Sequence, residues 1–524
     1  MQAIIKQRLR KTWIDSYFIS KNKLLFNTLD DQNKKTDFKM NTNIQSNKEI
    51  KLWEALIPVI VLIGMLAYNV YIYGDEALSG SNQFVLLLGA AAAAIIGFKN
   101  KISYVEMMDA VAENVKSTAG AIFILLMVGA LAGTWLISGV IPSMIYYGLQ
   151  VLSPAVFLPA TLIICSIISV ATGSSWTTSA TVGIALIGIG GALGFDKGMI
   201  AGAVISGAYF GDKLSPLSDT TNLAPAMAGT DLFTHIKYML YTTVPTYIIT
   251  FILFVILGLT YNTEGNVETA SLLSDIKASF NVNLWLFVVP IVVIGLIVKK
   301  TEPLIALLIG TLLAAAFALI FQPNIVLMLS GAKELTFSSG YKGIMNAITT
   351  KSVIPTTNET LIDLFTSGGM EKMLGTIWLI LCAMAFGGIM EAIGALSTIS
   401  KALLRLAKST FGLFASTVGS CLALNITASD QYLAIVVPGK MFAQAYKDKG
   451  LAPENLSRTI EDSGTVTSVL IPWNTCGAYH AGTLGVGTFE LLPYAFFNLI
   501  SPIMTLIFAA FNIKIRQLTS SIEK

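Results

Sequence analysis

Long apolar runs alternate with short polar breaks along this chain, and the runs are of bilayer length. Between Ser117 and Phe195 there is no Asp, Glu, Lys or Arg at all. A helix needs about 17–25 mostly apolar residues to cross a bilayer. The pattern predicts such helices at 56–73, 119–137, 247–259 with its flanks, 284–298, 303–321, 373–390 and 491–511. The fold class read from this is an all-α polytopic membrane protein with about 12–14 membrane segments, several of them broken.

Composition agrees. Hydrophobic residues make up 54% of the 524 positions and charged ones 12%, against roughly 25% charged in a soluble domain. The few charges are placed with a bias. Residues 1–54 hold eleven Lys or Arg, which puts this arm in the cytoplasm by the positive-inside rule. The arm is polar, reads as disordered and lacks the apolar core of a cleavable signal. Residues 1–39 differ in composition from the rest of the chain, and Met40 offers a second start. Loop 74–83 has no Lys or Arg and belongs outside, whereas 98–101 carries Lys99 and Lys101 and belongs inside. The same alternation places His235 and Lys237 inside, the acidic loop 260–282 outside, Lys299 and Lys300 inside, and the polar loop 322–372 outside. Lys401, Arg405, Lys408 and the tail with Lys514 and Arg516 return to the cytoplasm, so both termini lie inside a cell membrane.

The walk exposes a repeat. "AGTWLISGVIPSM" (132–144) resembles "GGIMEAIGALSTI" (387–399), and an offset of 256 pairs Gly194 with Gly450, Pro216 with Pro472, Gly229 with Gly485, Phe233 with Phe489 and Tyr238 with Tyr494. The charge walk gives the two stretches opposite orientation, the arrangement of inverted repeats in secondary transporters. The expected organisation is a cytoplasmic arm (1–54), two N-terminal helices with an amphipathic stretch (55–118), a first repeat (119–259), two linking helices with outer loops (260–372), a second repeat (373–512) and a cytoplasmic tail (513–524).

Each repeat contains two breaks. They are "TGSSWTTSAT" (172–181) and "GDKLSPLSDTTN" (211–222), then "NITASDQY" (425–432) and "EDSGTVTSVLIPWNTCG" (461–477). Unpaired backbone costs several kcal/mol in lipid, so irregular chain at membrane depth must line a cavity or be buried in protein. The carbonyls and hydroxyls it frees suit a hard cation. Carboxylates at that depth are expensive and mark function by default. The candidates for a cation site are therefore Asp219 with Ser218, Thr221 and Asn222, and Asp430 with Ser429, together with Thr178. The competing structural role for both aspartates is helix capping. Ser174, Ser175, Thr177, Asn425, Thr427, Asn474 and Thr475 are candidates for substrate or coupling contacts. Asp212, Lys213, Glu461 and Asp462 join them in two local sets, Asp212–Lys213 and Arg458–Glu461–Asp462, each either an internal ion pair that holds broken helices together or a direct ion-binding set. Lys440 is a further candidate partner for an acid. His235 reads as interfacial, and His480 as a group that either lines the pathway or packs. Cys165, Cys382, Cys421 and Cys476 sit in apolar segments without metal spacing and read as reduced core residues. The sequence shows no nucleophile–base pair, metal cluster or nucleotide fingerprint, which argues against an enzyme, and no cofactor is expected.

The four break motifs, "GSSWTTSATVG", "GDKLSPLSDTTNLAP", "TASDQYLAIVVPG" and "LSRTIEDSGTVTSVLIPWNTCGAY", closely resemble those of the NhaC-type Na+/H+ antiporter family, over residues 50–512. The resemblance implies re-entrant hairpins at 155–193 and 411–445, an elevator-type transport domain sliding on a scaffold, and a homodimer in the lipid bilayer. It implies cation exchange, with Asp219, assisted by Asp430, binding Na+ and H+ in turn. Relatives proposed to exchange malate for lactate or to carry amino acids keep a second reading open, a Na+- or H+-coupled transporter of organic acids or amino acids. No cluster of Arg that would clamp a dicarboxylate occurs in the apolar core. A channel or membrane enzyme is the third class.

Overall fold

The computed structural model describes residues 50–73, 80–261, 269–356 and 358–518. Most of the predicted arm, residues 1–49, lies outside them, as do 519–524 of the predicted tail. Among the described residues eight helices are long and apolar enough to span a membrane, or up to ten if two bent pairs each count as one. Ala119–Ile137 and Pro303–Phe321 fall where the apolar runs predict them. The 373–390 run extends to Gly369–Ala392, and the 247–259 run is the end of a longer helix, Leu232–Thr260. The 284–298 and 491–511 runs belong to bent pairs, with turns of 82° and 56° respectively.

The polar stretch 322–372 is not a plain loop. It folds into helices Pro323–Ser330, Phe337–Thr349 and Glu359–Leu364 and a small antiparallel ribbon pairing Ser352–Val353 with Thr366–Ser367. Leu361 and Phe365 are fully buried there, in an apolar cluster that also takes Leu272 and Ile276 of helix Thr269–Ser279. These elements are amphipathic and short, so no run of spanning length marks them.

The break geometry recurs at fixed spacing. Left-handed backbone occurs at Gly173 and Ser429, at Gly194 and Gly450, and at Gly229 and Gly485, each pair 256 residues apart. Ser153 and Ser409 are helix N-caps, as are Ser174 and Asp430, and Ser218 and Asn474, again 256 apart. Helices follow these caps in the same order. Pro154–Thr172, Lys197–Leu214 and Asp219–Ala228 correspond in position to Thr410–Thr427, the interrupted stretch 453–470, and Thr475–Leu484.

Close packing sets the breaks in place. Gly211 of helix Lys197–Leu214 presses on helix Pro154–Thr172 so tightly that a Cβ there would sit 2.5 Å from Ser169 Cβ. The neighbouring Ser169 hydroxyl donates to Ala208 O at 2.5 Å. The aspartate that follows Gly211 is thereby held against the break at 173–175.

Candidate functional site

A cavity of about 610 Å³ gathers residues from all four breaks that the motifs mark. Thr172–Thr177, Asp212 and Pro216–Thr220 line it from the first repeat, and Asp430–Tyr432 with Thr475, Cys476 and Tyr479 from the second. Its remaining wall comes from Ser117–Ala121 and from Lys300–Pro303. Among the lining residues are the carboxyls of Asp212, Asp219, Glu302 and Asp430, set against one cation, Lys300. The wall is strongly acidic.

Each carboxylate is placed by a helix end. Helix Lys197–Leu214 stops at the Ser215–Ser218 break, where Ser215 N returns to Gly211 O and Asp212 O. Near that end, Asp212 accepts from Ser175 Oγ at 2.7 Å and from Ser175 N at 3.2 Å. This ties the first break to the second. Ser218 caps the next helix, accepting from Thr221 N, and so leaves Asp219 in the first turn with its side chain exposed to the cavity. The positive helix end favours negative charge there. Asp430 is itself an N-cap, accepting from Leu433 N at 2.9 Å, and its carboxyl also borders the cavity. For Asp430 the capping role and a place at the site therefore coexist. Asp231 caps the following helix outside the spans, where the bond from Thr234 holds its carboxyl below the ordinary range.

Of the eighteen residues the sequence singles out, Ser174, Ser175, Thr177, Asp212, Ser218, Asp219, Asp430 and Thr475 border the cavity. The others support it from behind. Thr178 bonds back to Ser174 O at 2.9 Å, and Thr427 to Ala423 O at 2.7 Å. Thr221 closes the end of the preceding helix through Asp212 O and Lys213 O, both at 3.1 Å. Asn222 donates to Pro216 O at 3.0 Å and Ser218 O at 2.7 Å. Ser429 is left-handed, and its carbonyl accepts from Thr475 N at 3.0 Å. Asn425 and Asn474 stitch the two breaks of the second repeat. Asn425 Nδ2 donates to Gly464 O at 2.8 Å, and Asn474 Nδ2 donates to Asn425 O and Oδ1, each at 3.1 Å.

The charged pairs sort differently from either local grouping. Lys213 does not pair with its neighbour Asp212; its ammonium meets Asp462, both side chains being fully buried. Thr505 and Ser501 also donate to Asp462. Among the described residues Arg458 makes no ion pair, and it lies over the Tyr238 ring at 4.5 Å. Lys440 is exposed. His480 is not at the cavity wall. It is fully buried behind Tyr479, with Nδ1 2.9 Å from Ser179 Oγ. His235 is also buried, 2.8 Å from Ser457 Oγ, so it is not an interfacial side chain. All four cysteines are buried and unbridged.

Some wall residues were not singled out. Tyr432 and Gln431 stand inside a quoted motif, whereas Glu302 and Lys300 come from a segment that reads only as a charged turn. Trp176 and Tyr479 stack at 3.9 Å with their planes 15° apart, and Tyr479 donates to Trp176 O at 3.1 Å. The pair joins the breaks of the two repeats across one side of the cavity.

The comparisons with known proteins point to antiporters and carriers of more than one cargo. A family model described as the Na+/H+ antiporter family matches residues 207–513, and one for a C4-dicarboxylate anaerobic carrier matches residues 10–259. The chain is 38% identical over 421 residues to the Na(+)/H(+) antiporter NhaC of Alkalihalophilus pseudofirmus, covering 80% of this chain and 88% of that protein. It is 35% identical over 459 residues to the malate-2H(+)/Na(+)-lactate antiporter of Bacillus subtilis, covering 87% and 94%. With the arginine/ornithine antiporter ArcD of Halobacterium salinarum it shares 33% identity over 459 residues, covering 87% and 90%.

Proposed function

The chain belongs to the Na+/H+ antiporter family, and on that premise we propose that it exchanges Na+ for H+ across the cell membrane at the cavity bordered by Asp212, Asp219 and Asp430. The observation that carries this reading is the cavity's charge, four carboxyls against one lysine. An acidic, hydroxyl-rich wall attracts a hard cation, and its carboxylates are the groups a proton would occupy instead. Asp219 is the central group because its carboxyl is exposed to the cavity at a positive helix end. Na+ and H+ then compete for the same oxygens, and the competition couples the two flows. The Ser117–Ala121 and Lys300–Pro303 side of the cavity would be its cytoplasmic mouth, since basic loops flank it.

A second reading keeps the ion site and adds an organic cargo. The volume of about 610 Å³ and the aromatic faces of Trp176, Tyr432 and Tyr479 exceed what a bare ion needs. The wall charge suits a cationic or zwitterionic cargo better than a dicarboxylate.

The test uses proteoliposomes with an acid interior and a pH-sensitive dye. Added NaCl alone is expected to drive proton efflux, and Asp219→Asn to abolish it. A response only after malate, lactate, arginine or ornithine is added would replace simple exchange by the second reading. Asp219→Asn acting like wild type would remove this aspartate from the centre of the site.

A further inference from the structure

Behind the cavity wall lies a carboxyl that the exchange reading leaves unused. Glu461 opens the π-helix Glu461–Thr465, an irregularity frequent at functional sites. Its side chain is fully buried. Oε1 accepts from Thr220 Oγ1 at 3.1 Å, and Oε2 meets no hydrogen-bond donor among the described residues. Thr220 Oγ1 is in turn 3.1 Å from Ser218 Oγ, and both residues border the cavity. Ser218 Oγ already accepts from Thr221 N, so its own hydrogen is available to Thr220, whose hydrogen points to Glu461. As placed, these hydrogens point toward Glu461, the direction that loads it, and release requires both hydroxyls to turn so that Glu461 donates to Thr220 and Thr220 to Ser218.

The surroundings fit a stored proton better than a fixed ion pair. The nearest ammonium, Lys213, is engaged by Asp462 and Ser501. No ion pair to Glu461 occurs among the described residues. The charged and titratable groups facing it are Lys213 and Asp212 of helix Lys197–Leu214 and Cys421 of helix Thr410–Thr427. Arg458 and Asp462 flank it on its own segment, and the Arg458 guanidinium lies over Tyr238 instead.

We propose that Glu461 is a second proton-carrying site, linked to the cavity by the Thr220–Ser218 hydroxyls and distinct from the carboxylates that take the ion. It rests on the Na+/H+ reading of the cavity and adds to it. When Na+ enters beside Asp212 and Asp219, Glu461 gives its proton to Thr220 Oγ. Thr220 passes its own hydrogen to Ser218 Oγ, and Ser218 passes its own to cavity water. One proton leaves and Glu461 remains as a carboxylate facing Lys213; the reverse sequence reloads it when Na+ departs.

The experiment counts protons released per Na+ bound by the purified full-length protein, by calorimetry in buffers of different ionisation enthalpy. Wild type is expected to release about one proton more than Glu461→Gln, with Na+ binding retained in both. Equal counts would overturn the second site while leaving the exchange reading intact. No release from wild type would overturn both. Thr220→Val keeps the carboxyl and cuts the relay, so it covers the case in which Glu461→Gln does not fold. Stopped-flow release after Na+ mixing should then slow at least tenfold, and a rate equal to wild type would overturn the relay.

Discussion

Lys213 and Asp462 stand 249 positions apart, yet their side chains meet at a place with no solvent access. Two charges taken out of water are tolerated only when they face each other and their remaining valences are filled. Here Ser501 and Thr505 fill them. Removing one partner leaves the other buried and unpaired, at a cost of about 3–5 kcal/mol. Asp462→Ala and Lys213→Ala should each lower the thermal midpoint of the purified protein substantially. The joint Lys213→Met, Asp462→Leu change should lower it by much less than the sum of the two, because no stranded charge remains. An additive result would mean that the pair is not the contact that matters. Individual pairings of this kind are the least legible part of the sequence. Asp212–Lys213 looks like a local pair, and only the fold shows that Asp212 goes to Ser175 while Lys213 crosses to the other repeat.

At the scale of elements the sequence is more readable, because bilayer length and helix breakers are properties of composition. Spans such as Pro303–Phe321 and the four breaks stand where their residues predict. What escapes is structure without a long apolar run, such as the short helices and ribbon of 322–372, held by a few buried side chains. The breaks themselves depend on left-handed residues, and two of them separate geometry from packing. A Cβ on Gly173 would lie 2.6 Å from Leu217 Cβ and 2.7 Å from Leu217 C, whereas one on Gly229 meets nothing within 4 Å. Both positions have φ near +70° to +83°. Gly229→Ala should therefore cost only the left-handed strain, about 1–2 kcal/mol, and leave transport near wild type. Gly173→Ala adds a clash with the chain just before Ser218 and Asp219. Transport should fall at least tenfold in the same dye assay even where expression is normal. Equal effects of the two substitutions would show that the contact between the breaks does not matter to the site.

Over the whole molecule, segments distant in the chain meet through basic side chains. The Lys99 ammonium pairs with Glu54 at 2.8 Å, and Lys449 reaches Lys408 O at 2.9 Å. The tail runs alongside the turn at 450–455, with Arg516 on Glu454 at 2.7 Å and Leu518 N on Gly450 O at 2.7 Å. The segment Thr410–Asp448 thus leaves these basic contacts and returns to them, while its middle, Asp430, borders the cavity. The positive-inside rule assigns such basic segments to the cytoplasm. Ser117, which borders the cavity, ends helix Tyr104–Ser117 beside Lys116, and on the proposed cytoplasmic mouth the described conformation would open inward. That assignment is open to a direct check. A single cysteine at the exposed Ser117, in a background with the four native cysteines replaced, should react with a membrane-impermeant thiol reagent in inside-out vesicles and not in right-side-out ones. Saturating Na+ should slow the reaction if occupancy closes the mouth or shifts the molecule toward its outward-open form. Reaction only from the opposite side would invert the topology. It would also turn the basic loops into an exception to the charge rule, and the cavity would then be the one that meets the outer solution.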